Sequence, residues 1–201
     1  MGRLILIRHG ETDKNLNKNL HTVNDAQALN LTGREQIEAT VDRLKELSPS
    51  KIYSSTEKRA VESAQILSQR LEIPMEEIDG MREWNLGVFT GKSSEEVKNV
   101  LSPMTHQERY DYVPQEGESW RAFEMRLITA IQKIAEDNKD KTVAIVTHGG
   151  AIKALMPFLL KVPNEESFNY KVDNASLTIF DYDEKSFHKV SINDASHLSG
   201  K

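Results

Sequence analysis

Two histidines end two apolar runs, and each is followed by glycine. Leu4-Ile5-Leu6-Ile7 leads into Arg8-His9-Gly10-Glu11-Thr12, and Val143-Ala144-Ile145-Val146-Thr147 leads into His148-Gly149-Gly150. The Arg8-His9-Gly10 order sets an imidazole beside a guanidinium on a turn that glycine makes flexible. Two such strand ends point to one pocket at the carboxyl edge of a sheet, where open α/β folds place their ligands. A neutral imidazole can attack phosphorus through one ring nitrogen if the other gives its proton to a fixed acceptor. A guanidinium matches phosphate oxygens in a planar, two-pronged way. These residue types suggest phosphoryl transfer through a phosphohistidine. A plainer reading stands beside it: Arg8 and His9 could simply cap a strand, and Arg59 could be a solvated residue at a polar helix start.

The elements that would position these groups follow from hydrophobic spacing. Leu4–Ile7 reads as a strand covered on both faces. Residues 13–30, with Asn at 15, 17, 19 and 24, read as a loop or short irregular helix. Ile37, Val41, Leu44 and Leu47 recur at helical spacing from Gly33 to Leu47, and Pro49 ends that segment. Lys51–Ser55 is a second strand, and Thr56 can cap a helix running to about Leu71. A short strand is expected near Met75–Ile78, and a helix from Ser93 or Ser94 with Glu95 and Glu96 in its first turn. Residues 102–116 read as irregular. Trp120, Phe123, Leu127, Ile131 and Ile134 mark a long helix after Gly117-Glu118-Ser119. Thr142–Val146 is a strand, Ala151–Leu160 an apolar helix, and the tail a hairpin through Tyr182–Ser186. Strands alternating with helices predict an α/β fold, a three-layer α/β/α arrangement with a mostly parallel central sheet.

Composition narrows the function classes. A chain of 201 residues suits one domain, spanning 1–201. Its net charge of −5, from 26 basic and 31 acidic residues, gives no global field toward nucleic acid or an anionic membrane. The absence of cysteine excludes a disulfide and a cysteine nucleophile. No apolar stretch nears the ~18 residues of a membrane span. The start, Met1-Gly2-Arg3, has no signal-peptide pattern, and Leu6 stands where myristoylation needs Ser or Thr. A cytoplasmic location is expected, with a homodimer compatible with the sequence.

Five ordered blocks extend the pattern: Arg8–Thr12, Ser55-x-x-x-Arg59-Ala60 with Ser63-Ala64, Glu83-x-x-x-Gly87-x-x-x-Gly91, Gly117-Glu118-Ser119, and Thr147–Gly150. Their order from Leu4 to Leu198 resembles the histidine phosphatase superfamily, in its phosphoglycerate-mutase-like branch. The resemblance implies a phosphoglycerate-mutase-like fold. It implies His9 as nucleophile, Arg8 and Arg59 as phosphoryl clamps, and His148 as a donor opposite His9. It implies Glu83 as general acid, with Glu118 as the fallback. Asn15 matches the family's amide and implies a phosphate hydrogen bond, with Thr12 a weaker match and Gly149 beside the phosphate.

No metal or other cofactor is implied, because clustered cations stabilise the transition-state charge. His21, His106, His188 and His197 lack metal-ligand spacing. His197 reads as structural, and Asp181-Tyr182-Asp183 as part of a turn rather than a metal-binding pair. The implied enzyme is a histidine acid-type phosphatase, a phosphoric monoester hydrolase acting on a small phosphorylated metabolite. A cofactor-dependent phosphoglycerate or phosphosugar mutase is the alternative, and a catalytically silent phosphate-binding scaffold the third reading. The chain departs from sugar-phosphate members where they carry Arg-x-Gln-Gly and Pro-Leu-Thr-x-x-Gly. Here those places hold Leu20-His21-Thr22-Val23 and Ala28–Gly33. The departures touch substrate contacts and spare the phosphoryl pocket. The short 102–116 segment favours hydrolysis, since a mutase must keep water from its phosphohistidine.

Overall fold

Alternating side chains on β1 (Gly2–Arg8) face two different cores. Leu4 and Leu6 join one buried cluster, and Ile5 and Ile7 the other. All four are fully buried, and each contributes roughly 1.5–3 kcal/mol by leaving water. The same split recurs on β4 (Thr142–Thr147), with Val143 and Ile145 on one face and Ala144 and Val146 on the other. The computed structural model describes residues 1–17, 19–21, 26–184 and 186–199. Thr22 and Val23 of the departing segment, Asn24 of the Asn-rich stretch and Lys185 of the hairpin turn lie outside the described residues.

The sheet has six strands in the order β3-β2-β4-β1-β5-β6. These include β2 (Lys51–Ser54), β3 (Met75–Glu77), β5 (Leu177–Tyr182) and β6 (Phe187–Asp194). The four strands β1 to β4 run parallel, and β5 runs against both β1 and β6. Helices α2 (Leu31–Leu47) and α3 (Lys58–Leu71) cover one face through Ile37, Val41, Leu44, Ala60, Ala64 and Leu67. Helices α6 (Trp120–Asp137) and α7 (Gly149–Leu160) cover the other. This is the expected three-layer α/β/α architecture with a mostly parallel sheet. Among the described residues, no helix is long and apolar enough to cross a membrane.

Element ends differ from the sequence reading in three informative places. Helix α2 begins at Leu31, because the Asn30 side chain caps it by accepting from Gly33 N at 2.8 Å. Helix α3 is capped by Glu57 rather than Thr56, and no cap side-chain hydrogen bond forms there. The Glu57 carboxylate is engaged elsewhere, as described below. Residues 102–116 are not wholly irregular: they hold α5 (His106–Asp111), started by a capping box between Thr105 and Glu108. The segment from 13 on carries α1 (Asp13–Leu16), and Ser93 starts α4 (Ser94–Leu101). Around α4, Leu86, Phe89 and Val97 form a small separate core with Leu20, Trp84 and Leu101 against it.

Candidate active site

The carboxyl ends of β1, β2 and β4 deliver His9, Ser55 and His148 to one buried place. The two histidine ring centroids lie 5.2 Å apart. His9 Nδ1 is 2.7 Å from the Gly10 carbonyl. A carbonyl only accepts, so Nδ1 carries the proton and Nε2 holds a lone pair. Arg59 Nε donates to that Nε2 at 3.2 Å, which agrees with the assignment. Burial, with help from Arg59, His148 and Arg8, holds the His9 imidazolium well below its usual pKa of 6.5. The ring is therefore a buried neutral base with one nitrogen available.

Arg59 is wholly buried on the first turn of α3. Ser63 ties it to the turn that carries His9: its hydroxyl donates to Arg59 O at 2.7 Å and accepts from Gly10 N at 3.2 Å. Arg8 donates from Nη1 to Val172 O at 2.7 Å, while its buried Nε has no partner among the described residues. Burial lowers the Arg8 pKa, and the carboxylates of Glu83, Asp173 and Glu11 oppose that shift. A buried guanidinium with an unmet donor is suited to an oxyanion.

His148 turns Nε2 toward Ser55 Oγ at 2.7 Å and against the Glu57 carboxylate. Its Nδ1 is buried and has no partner among the described residues. Burial, then Arg59, holds the ring's pKa below the usual 6.5, while Glu57 pulls it back up. Burial would raise the Glu57 carboxyl, but His148 and Arg59 overcome it and keep Glu57 ionised. Glu57 also accepts from Glu83 N at 3.1 Å. The motif around Arg59 contains Glu57, yet nothing about a glutamate at a helix start singles it out as the link between His148 and Glu83. Only the fold reveals that link.

Glu83 is held by two backbone donors, Gly150 N at 2.9 Å and Trp84 N at 3.0 Å. A Cβ on Gly150 would lie 2.3 Å from Glu83 Oε1. The missing side chain at Gly150 is thus the space that Glu83 occupies. Gly149 packs on Arg8, where a Cβ would meet Nε at 3.3 Å. Asn15 is brought to the pocket rim, but its Oδ1 is used by Thr12 N at 3.1 Å and Asn174 Nδ2 at 3.2 Å. Thr12 caps α1, and its hydroxyl lies 3.1 Å from Nε2 of His21. Asn174 also donates to His9 O at 3.0 Å, a backbone brace with no sequence signature.

Glu118 does not reach the pocket wall. It accepts from Arg126 Nη2 at 2.6 Å and from Asn85 N at 3.0 Å, which fixes the Gly-Glu-Ser turn and removes it as a fallback acid. His197 bonds Ala175 O and Thr40 and is structural as expected; Asp181 and Tyr182 lie on β5, where Asp181 pairs with Arg3, and only Asp183 falls in the expected turn.

A cavity of about 760 Å³ opens from this place, with Arg8, His9, Asn15, Glu83 and the Gly149-Gly150 pair at one end. Trp84, Leu86, Leu101, Tyr110, Trp120 and Phe168 supply apolar wall beyond them. That volume lies within the ~300–1,000 Å³ of small-molecule sites.

The buried rings predict an acid-sensitive fold. In the unfolded chain both histidines titrate near 6.5, so below that pH the unfolded state binds protons that the folded state refuses. Stability then falls as pH drops, by up to ~1.4 kcal/mol per pH unit per ring. Glu57 contributes stability above its unfolded value of 4.5, and that is lost only at more acidic pH. Urea midpoints are expected to be level above pH 7 and to decline from about 6.5 downward. A midpoint unchanged from pH 7 to 5 would mean that the rings are charged in the fold.

The description of the histidine phosphatase superfamily (branch 1) matches residues 4–195. The chain belongs to that superfamily, and its fold is of the histidine phosphatase type. It is 31% identical over 201 residues to the uncharacterized phosphatase PhoE of Bacillus subtilis (strain 168), covering 100% of this chain and 98% of that one. It is 31% identical over 179 residues to the 2,3-bisphosphoglycerate-dependent phosphoglycerate mutase of Thermoplasma acidophilum, covering 88% and 86%. Among solved structures, Bacillus stearothermophilus YhfR superposes with a TM-score of 0.88 at 30% identity, covering 98% of this chain and 100% of that one.

Proposed function

We propose that this chain is a metal-independent phosphomonoesterase that hydrolyses a small phosphorylated metabolite through a phosphohistidine at His9, the histidine acid type of phosphatase. The observation that carries the reading is the His9 ring itself. It is neutral, buried, and locked by Gly10 O so that Nε2 faces Arg59. In the first step Nε2 attacks phosphorus, the P–O bond to the alcohol breaks, and Glu83 gives its proton to the departing oxygen. Arg8, Arg59 and His148 hold the phosphoryl oxygens. An entering phosphate dianion favours the charged form of His148, which then donates from Nδ1. In the second step water attacks phosphorus, the N–P bond breaks, Glu83 takes a proton from that water, and orthophosphate leaves with His9 neutral again. Asn15 and Gly149 border the bound phosphate.

The cationic group supplies the charge that other phosphoryl-transfer sites take from magnesium. Phosphate release from a panel of phosphomonoesters should therefore survive excess chelator, and vanadate or inorganic phosphate should compete with substrate. A strict magnesium requirement would overturn the mechanism. Conversion of a phosphosugar to its isomer with no net phosphate release would favour the mutase reading instead.

A further inference from the structure

Glu57 is buried among the groups of the pocket, yet the two steps above give it no task. It stands ionised at the start of α3, where its side chain caps nothing. Its Oε1 is buried and has no partner among the described residues. A buried charge with unmet acceptors costs stability that an apolar side chain would not. Its Oε2, by contrast, is crowded. That oxygen accepts from Ser55 Oγ at 3.0 Å and from Glu83 N at 3.1 Å, lies 3.6 Å from Arg59 Nη2, and meets His148 Nε2.

These contacts fix a proton. The Ser55 hydroxyl has one hydrogen and gives it to Glu57, so toward His148 Nε2 it can only accept. A carboxylate also only accepts. Nε2 therefore carries the ring's proton, and Nδ1 holds a lone pair with no partner among the described residues. The His9 ring is set the other way, with its proton on Nδ1. A lone pair at His148 Nδ1 repels the oxygen of a phosphoryl dianion, and it becomes a donor only when the ring takes a second proton. The charged groups around the ring divide over that proton. Arg59 opposes it, as does Arg8 beside the His9 ring 5.2 Å away, while Glu57 and Glu83 favour it. Without a ligand, burial and Arg59 prevail, and the ring is neutral at neutral pH. A dianion entering beside the two guanidinium groups offsets them and leaves the pull of Glu57 unopposed.

We propose that Glu57 is a positioning residue: it fixes the His148 proton at Nε2 and retains the ring's second proton once a phosphoryl dianion is bound, so that each ligand enters with one proton drawn from solvent. This rests on the phosphatase reading for its ligand, but its test needs no turnover. Sulfate is the probe, a tetrahedral dianion with no titratable proton of its own near neutral pH. Calorimetry at about pH 7.5, one unit above the ordinary histidine value, in two buffers of different ionisation heat, should show uptake of about one proton per sulfate. Affinity should then fall as pH rises, by roughly tenfold per unit. Glu57→Gln keeps the shape and removes the charge, and it should bring the uptake near zero. Ser55→Ala leaves the carboxylate and should keep the uptake. Nitrogen NMR of the wild-type chain gives a readout that no variant's folding can spoil. The His148 ring, identified by its absence from His148→Asn, should carry hydrogen on one nitrogen when free and on both with sulfate. A His148 ring neutral in both states would overturn the proposal. So would full uptake in Glu57→Gln, or a loss in Ser55→Ala equal to that in Glu57→Gln, which would mark a disturbed fold. A chain that takes up the proton with sulfate but releases phosphate from no ester would uphold Glu57 and sink the phosphatase reading.

Discussion

Replacing His9 by alanine is expected to abolish both turnover and the covalent intermediate. Rapid quench of the wild-type chain with ³²P-labelled substrate should trap an adduct that is acid-labile and alkali-stable, as a phosphoramidate is. The His9→Ala variant should form none, and its kcat should fall on the order of 10⁴–10⁶-fold, as for loss of a covalent nucleophile. The size of the effect follows from the arrangement around the ring. Arg59 donates to Nε2, the His148 ring lies 5.2 Å from the His9 ring, Arg8 is a charged neighbour of His9, and no cysteine is present to replace it. Binding of inorganic phosphate should survive, because the guanidinium groups remain. An adduct that persists in His9→Ala would identify another nucleophile and remove the basis of the proposed mechanism.

Glu83→Gln should give the second-largest loss, and the loss should depend on the leaving group. Glutamine keeps the shape of the side chain and can still accept from Gly150 N, so the pocket stays filled. What it lacks is a transferable proton and the second acceptor, which in glutamate takes Trp84 N at 3.0 Å. An alkyl alcohol leaves as an alkoxide unless protonated, so alkyl phosphates should slow by ~10²–10⁴-fold. The p-nitrophenolate ion departs without much help, so p-nitrophenyl phosphate should be nearly unaffected. Equal losses on both would show that Glu83 only shapes the pocket. Glu118 could not take over the role, because Arg126 and Asn85 already hold its carboxylate.

The layers of the fold were legible because the chain's apolar periods are clean. A continuous run at Leu4–Ile7 and a helical stripe from Trp120 to Ile134 each have one structural solution. His9, Arg8, Arg59 and His148 were legible because each sits at a strand or helix end within an ordered block, and Glu83, in a loop, only through its Gly87 and Gly91 spacing. Element ends were harder to place. Thr56 has the better capping side chain, yet Glu57 takes the cap position because its carboxylate answers to His148 and Glu83 N rather than to its own helix. That is tertiary geometry, and no local rule contains it. The α5 box at Thr105 and Glu108 was readable in principle, but nearby prolines masked it. Lys153 and Trp120 were invisible as cavity-lining residues. A lysine on an apolar helix and a tryptophan on a core stripe look ordinary until the cavity between them is seen.

The hydrogen bond from His9 Nδ1 to Gly10 O has a consequence for how such a chain can change over generations. In sites where a carboxylate side chain orients the catalytic imidazole, one codon change can spoil the nucleophile. Here the acceptor is the backbone carbonyl of Gly10, so no second side chain has to be kept for it; Gly10 itself must stay glycine, because a Cβ there would lie 2.3 Å from Gly33 O. Drift among the residues that wall the cavity can therefore reshape that wall while His9 keeps its proton on Nδ1 and its lone pair on Nε2. The chain behaves as a chassis, with its reactive part insulated from the part that evolves.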